Sequence, residues 1–173
     1  MPTKPAFKPT DAHLDQGDVL ANVPFAKWKD GKLSLGGGAR GIVTSNGCAC
    51  EDYERAIAAG RSQAAAKIMV QVAPLRPVAT MPEHRIDEIQ LGKHLDFFYL
   101  YGEPGVLPDH FVDLSREQPV PAALLSACAK IARVADWQWH GLLIHLAVSR
   151  FHQVPASLFR VDVLEQGSGT DAA

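Results

Sequence analysis

The densest run of chemically capable side chains is Ser45-Asn46-Gly47-Cys48-Ala49-Cys50-Glu51-Asp52, which sets two thiols and two carboxylates directly after an apolar stretch. Thiolates bind zinc and carboxylates complete or orient a coordination shell, so one reading is a zinc site on Cys48 and Cys50. The spacing carries a plainer reading. Cys-x-Cys offers only two ligands, no second cysteine pair follows, and the seven histidines are scattered. On that reading Cys48 is an inert thiol buried under the end of the preceding strand, and Cys50 is incidental. A nucleophilic cysteine needs a base within hydrogen-bond reach. His94, His110 and His140 are the candidates, and nothing in the sequence brings any of them to Cys48. His140 and His145 stand five apart in one helical segment and so do not share a face, and the His-Glu-x-x-His pattern of metalloproteases is absent.

Gly36-Gly37-Gly38-Ala39-Arg40-Gly41 joins glycine amides to an arginine, a combination that can cradle an anion. It precedes a strand rather than a helix and lacks the lysine-serine/threonine ending of a phosphate loop, so a flexible joint or hairpin explains it better. Trp137 and Trp139 stand at the start of the last helix and are read as its anchors to the core, or as a partner surface if one is exposed.

The elements that must position these residues are legible in outline. Three prolines in the first dozen residues predict a flexible arm over residues 1–14. Asp18 to Phe25, ended near Pro24, predicts an edge strand, and Lys29-Asp30-Gly31-Lys32 a tight hairpin turn. Arg40 to Ser45 reads as a buried strand. Glu51 to about Ala66 reads as a helix interrupted at Gly60. Lys67 to Leu75 is the strongest central strand, Arg85 to Leu91 a helical turn or two, Leu95 to Leu100 an aromatic strand and His110 to Leu114 the last strand. Two helices are then expected. Leu124, Leu125, Cys128, Ile131 and Ala132 recur at helical spacing over Ala122 to Val134, and Asp136 caps Trp137 to about Gln153, with Leu142, Leu143, Leu146 and Phe151 on its apolar side. The run Gln166-Gly167-Ser168-Gly169-Thr170 reads as part of a flexible tail over residues 161–173. One domain over residues 15–160 accommodates all of this.

A length of 173 residues suits one domain, and 47% apolar with 21% charged residues is average globular composition. No apolar run approaches the roughly 18 residues that cross a bilayer, and no apolar stretch follows the first lysines, so no membrane partner and a cytoplasmic location are expected. Three cysteines are too few for a disulfide framework. The net charge of −2 divides as +2 over residues 1 to 45 and about −2 in each remaining stretch, which marks no nucleic-acid footprint.

Gly17-Asp18-Val19-Leu20, Gly41-Ile42-Val43-Thr44-Ser45 ending at Cys48, Val72-Ala73-Pro74-Leu75, Phe97-Phe98-Tyr99-Leu100 and Val112-Asp113-Leu114, in that order over about residues 15 to 152, resemble a poorly characterised bacterial family. Its members carry a GD…VV(L/I)(S/T)xxCD…V.PL…YLP…DL pattern; here Ala49 stands where that pattern has Asp after Cys. The family in turn resembles the small SH3-like barrel of the MazF/PemK plasmid-maintenance toxins. The resemblance implies an α+β domain, a small bent antiparallel barrel of five to seven strands covered by a C-terminal helical pair. Those toxins use an arginine at the start of the second strand and a serine or threonine after the third. Here Arg40 is one position out of register and the third strand ends in Leu75-Arg76-Pro77.

Three functions follow. The first is a non-enzymatic interaction or regulatory module with a protein partner, linked by the resemblance to mobile elements, defence or toxin–antitoxin pairs and compatible with a homodimer. The second is an endoribonuclease using Arg40 with Ser45 or Asp52. The third is a zinc- or thiol-dependent protein centred on Cys48 and Cys50; no other cofactor is indicated. Near-neutral charge favours the first, whereas a basic groove gathering Arg40, Arg55, Arg61 and Arg76 would favour the second.

Overall fold

The computed structural model describes residues 4–45 and 47–153. Asp30 and Gly31 take positive φ angles of 51° and 71°, the two-residue turn whose twist matches paired strands, and they join β2 (Asp18–Lys29) to β3 (Lys32–Val43) with Lys29 opposite Lys32. Gly36-Gly37-Gly38 continues inside β3, so it is no flexible joint. The pairing register shifts between Leu20 and Phe25, where Asn22 adopts φ 58°; this bulge bends β2 and begins the curl of the sheet.

After α1 (Gly47–Ala58) and α2 (Ser62–Ala65), β4 (Met69–Pro77) pairs with β3 through Val72–Pro74. A 3₁₀ turn at Val78–Thr80, α3 (Glu83–Gln90) and β5 (Phe97–Leu100) follow. β6 (His110–Asp113) returns along Leu75–Pro77, and after a 3₁₀ turn at Leu114–Arg116, β7 (Gln118–Pro121) continues along Met69–Val72. The chain closes with α4 (Ala122–Ser126), β8 (Lys130–Val134) and α5 (Asp136–Gln153). With β1 (Phe7–Lys8) the sheet runs β1-β8-β2-β3-β4-β6-β5, antiparallel throughout, with β7 on β4. The result is an α+β domain on a small, bent, barrel-like sheet.

The two faces of this sheet bury separate clusters. Val19, Ile42, Ala73, Val112 and Val134 pack against Trp139, Leu142 and Leu146 of α5. Leu20, Val23, Val43, Val70 and Val72 pack against Cys50 and Tyr53 of α1 and Leu125 of α4. Neighbouring strand residues thus enter opposite clusters, the period of two expected of a sheet covered on both sides.

Four further expectations are corrected. Ala122 to Val134 is not one helix: it stops at Ser126, and Lys130–Val134 is a strand between β1 and β2, because pairing on both edges outweighs a helical spacing of apolar residues. For the same reason His110 to Leu114 is not the last strand. β2 is not an edge strand, since Asp18–Leu20 pairs with β8 as well as β3. The segment read as a flexible arm is bound from Ala6 onward. Ala6, Phe7 and Leu14 are buried, the Ala6 and Phe7 N–H groups donate to Glu103 Oε2 at 3.0 and 3.3 Å, and the Leu14 N–H donates to Glu54 Oε1 at 3.1 Å. The expected tail lies outside the described residues. Among the described residues no helix is long and apolar enough to cross a membrane.

Candidate functional site

The fold does not gather the expected catalytic residues. Arg40 is exposed on β3, and its Nη1 donates to Nε2 of His110 at 3.3 Å. Nδ1 of His110 lies 2.6 Å from the Pro108 carbonyl oxygen, which only accepts, so the ring is the neutral Nδ1–H tautomer. Burial lowers the His110 pKa, and the positive Arg40 lowers it further against the opposing hydrogen bond to Pro108. His110 is fully buried and its one free lone pair is taken by Arg40, so it is not poised as a base. Ser45 lies five residues beyond Arg40 along nearly extended chain, about 16 Å at 3.3 Å per residue. Its buried hydroxyl accepts the Gln71 N–H at 2.7 Å, tying the end of β3 to β4. Asp52 is exposed on α1 and accepts from Arg55 Nη1 at 2.9 Å.

The thiol run is helical rather than a loop. Cys48 and Cys50 are separated by about 200° around α1, and it is Cys50 that is buried while Cys48 is exposed, the reverse of the expectation. Burial, then the charges of Asp15 and Asp18, push the Cys50 thiol up to about 12. Among the described residues no three His, Cys, Asp or Glu side chains gather as a metal site. The other histidines singled out in the sequence are accounted for locally: His94 pairs with Glu88 at 2.9 Å, His145 Nε2 donates to the Leu95 carbonyl at 3.0 Å, and His140 is exposed. The tryptophans act as anchors, Trp139 in the core and Trp137 through a 2.9 Å hydrogen bond from Nε1 to the Pro5 carbonyl.

What the fold does build is a groove of about 730 Å³ where β2 and β3 leave β4. Its apolar lining is Phe25, Ala39, Pro74 and Leu75, and its cations are Lys27, Arg76 and Arg116. The Lys27 stem lies flat over Gly36: a Cβ there would come within 2.8 to 3.1 Å of Lys27 Cε, Cδ and Nζ, which gives part of the glycine run its role. Gln118 Oε1 accepts the Ala26 N–H at 2.8 Å and pins β7 to β2. Arg76 Nη2 is 2.7 Å from Oδ2 of the buried Asp113, and Arg116 Nε is 3.9 Å from the same oxygen. Asp113 Oδ1 accepts the Ser115 hydroxyl at 2.6 Å, but neither guanidinium is aligned to hydrogen-bond Oδ2, so this oxygen has charge partners and no donor in line. Glu117 is neutralised from behind, its carboxylate accepting from Arg150 Nη2 at 3.0 and 3.1 Å and from the Thr44 hydroxyl. Two guanidiniums thus face one buried carboxylate, and the positive charge of Arg116, its side chain 65% exposed, remains for a ligand.

Of the four arginines whose convergence would have marked a nuclease groove, Arg76 alone lines this one. Arg40 contacts His110, Arg55 serves Glu51 and Asp52 on α1, and Arg61 lines a separate concavity with Lys67. Lys27, Arg116 and Glu117 carried no sequence signal, because Lys27 lies far from the other two in the chain and meets them only where β7 pairs with β4 and Gln118 holds Ala26; Asp113 stood in the Val112-Asp113-Leu114 motif with no site role attached. No protein-family model matches the chain, and no curated protein matches it significantly.

Proposed function

We propose that this chain is an interaction module whose working surface is the cationic groove of Lys27, Arg76 and Arg116, and that its partner is an acidic segment of another protein carrying aliphatic side chains. The observation that carries the reading is the composition of the groove, cations around an aliphatic patch of Ala39 and Pro74. An extended peptide places acidic groups and aliphatic side chains on such a surface at once. Grooves that hold single-stranded RNA typically present aromatic rings on which bases stack, and the one aromatic ring in this groove, Phe25, is only 4% exposed. In the toxin–antitoxin setting implied by the family resemblance, such a partner would regulate the chain.

The test is fluorescence anisotropy with a labelled peptide of alternating aspartate and leucine, beside a labelled single-stranded RNA. The expected result is saturable peptide binding that weakens at least tenfold, about 1.4 kcal/mol, in the Lys27→Glu/Arg116→Glu double variant. Saturable binding of the RNA in place of the peptide, with cleavage lost in Arg40→Ala, supports the endoribonuclease instead. No binding of either probe removes the groove as the working surface.

A further inference from the structure

A second concavity, of about 740 Å³, is lined by Pro5, Tyr99, Tyr101, Glu103, Leu107 and Asp109. That volume is within the range of small-molecule sites. The aromatic wall is rigidly backed. The Tyr99 and Tyr101 ring centroids are 4.8 Å apart at 61°, Phe111 meets Tyr99 at 5.7 Å and 77°, and Trp137 meets Tyr101 at 5.8 Å. The hydrogen bond from Trp137 Nε1 to the Pro5 carbonyl holds the N-terminal side of the cavity.

The loop that closes it is equally fixed. Glu103 and Leu107 exchange backbone hydrogen bonds at 2.8 and 3.2 Å, and a Cβ at Gly102 would meet the backbone of Leu107, Pro108 and Asp109 at 2.5 to 2.6 Å. Both carboxylates on this wall are oriented by neutral donors. Asp109 accepts the Tyr99 hydroxyl and the Gly102 N–H, each at 2.6 Å, while Glu103 accepts the Ala6 and Phe7 N–H groups. Burial raises the Tyr99 pKa, as does its hydrogen bond to Asp109, so the hydroxyl keeps its proton and stays a donor. Among the described residues no ion pair joins Glu103 or Asp109 to a cation, although Lys4 also lines the cavity.

We infer that this cavity binds a small organic cation, an arylalkyl ammonium or guanidinium compound, with its apolar part against the Tyr101 ring, which the buried Tyr99 backs, and its charged head toward Asp109 and Glu103. Aromatic faces attract cations through the ring quadrupole, and hydrogen bonds from a cation to a carboxylate are the strong, charge-assisted kind. A preformed wall adds affinity because little has to be ordered on binding. The site is independent of the cationic groove in its residues and in the charge of its ligand.

The experiment is isothermal titration of the full chain with 2-phenylethylammonium, agmatine, the neutral 2-phenylethanol and the anion phenylacetate. The expected result is saturable binding of at least one of the two cations, Kd below about 1 mM, with the alcohol at least tenfold weaker and phenylacetate silent. Glu103→Gln keeps an acceptor for the Ala6 and Phe7 N–H groups and removes the charge; it is expected to weaken the cation about tenfold while leaving the melting temperature and the anisotropy of the acidic peptide unchanged. Equal binding of alcohol and ammonium, binding of phenylacetate, or no saturable binding of either cation overturns the assignment.

Discussion

Asp18 and Arg133 are register partners across β2 and β8, and Arg133 Nε donates to Asp18 Oδ1 at 2.8 Å while Lys130 Nζ stands 2.8 Å from the other oxygen. Asp18 is fully buried, and Arg133 reaches on to Asp11 through both terminal nitrogens at 3.1 Å. Burial by itself would lower the Arg133 pKa, but its hydrogen bonds to Asp18 and Asp11 raise it above the ordinary arginine value. One guanidinium on the strand that arrives last therefore holds both β2 and the segment before it. Asp18→Ala leaves two largely buried cations without their counter-charge and is expected to cost about 3–5 kcal/mol, read from urea denaturation midpoints. Asp18→Asn, which keeps an acceptor, should cost less.

The contact between Arg40 and His110 predicts an acid limb of stability. The folded His110 pKa is lowered, so the unfolded chain takes up the proton more readily. Stability is fully present above the unfolded histidine value of about 6.5 and is lost as pH falls through the folded pKa. Arg40→Gln preserves a donor to Nε2 and removes the repelling charge, so the His110 ring should titrate at higher pH and the acid loss should shrink. The ring proton resonances of His110, followed by NMR, and denaturation at pH 5 and 7.5 check both statements.

Two glycines of β3 are expected to differ sharply. A Cβ at Gly41 would stand 2.8 Å from Phe25 Cζ and from Val72 Cγ1, inside a packed cluster, so Gly41→Ala should destabilise by about 1–3 kcal/mol. At Gly36 the obstruction is the Lys27 stem, which can swing away. Gly36→Ala should stay within about 0.5 kcal/mol of the parent chain and weaken acidic-peptide binding instead.

Thiol labelling separates the three cysteines. Cys48 is exposed, Cys50 is buried with its thiol pushed up to about 12, and burial also raises the Cys128 pKa. A disulfide reagent at pH 8 should release one fast equivalent from the native chain, and Cys48→Ser should abolish it. Equimolar zinc protecting Cys48 in the folded protein would revive the metal reading.

The sequence carried more of the scaffold than of the sites. Asp30-Gly31 read correctly as a tight turn because that pair tolerates the positive φ the turn demands, and the strand at Lys67 to Leu75 announced itself through its β-branched residues. Lys130–Val134 misled because its apolar residues fit a helix as well as a strand, and only the free edges of β1 and β2 decide between them. Cys50 is hidden by α1, whose start at Gly47 precedes the residues from which a helix was expected. Arg40 was singled out, but its partner His110 is 70 positions away and no local pattern links them. Lys27, Arg116, Glu103 and Asp109 are ordinary polar residues in one dimension, and only the folded chain sets Lys27 beside Arg116 in one groove and Glu103 beside Asp109 in a separate cavity.

The position of β8 has a consequence for biogenesis. Strand β2 emerges from the ribosome more than a hundred residues before its neighbour β8, so the Asp18–Leu20 edge and the charge of Asp18 wait unpaired until residues 130–134 are made. A nascent chain stalled before Lys130 would present an open strand edge to any other β segment, the geometry from which aggregation starts. Completion of this sheet is thus a late event of synthesis: β2 to β7 can pair among themselves beforehand, whereas β1 and the Asp18–Leu20 edge find their partner only when β8 arrives.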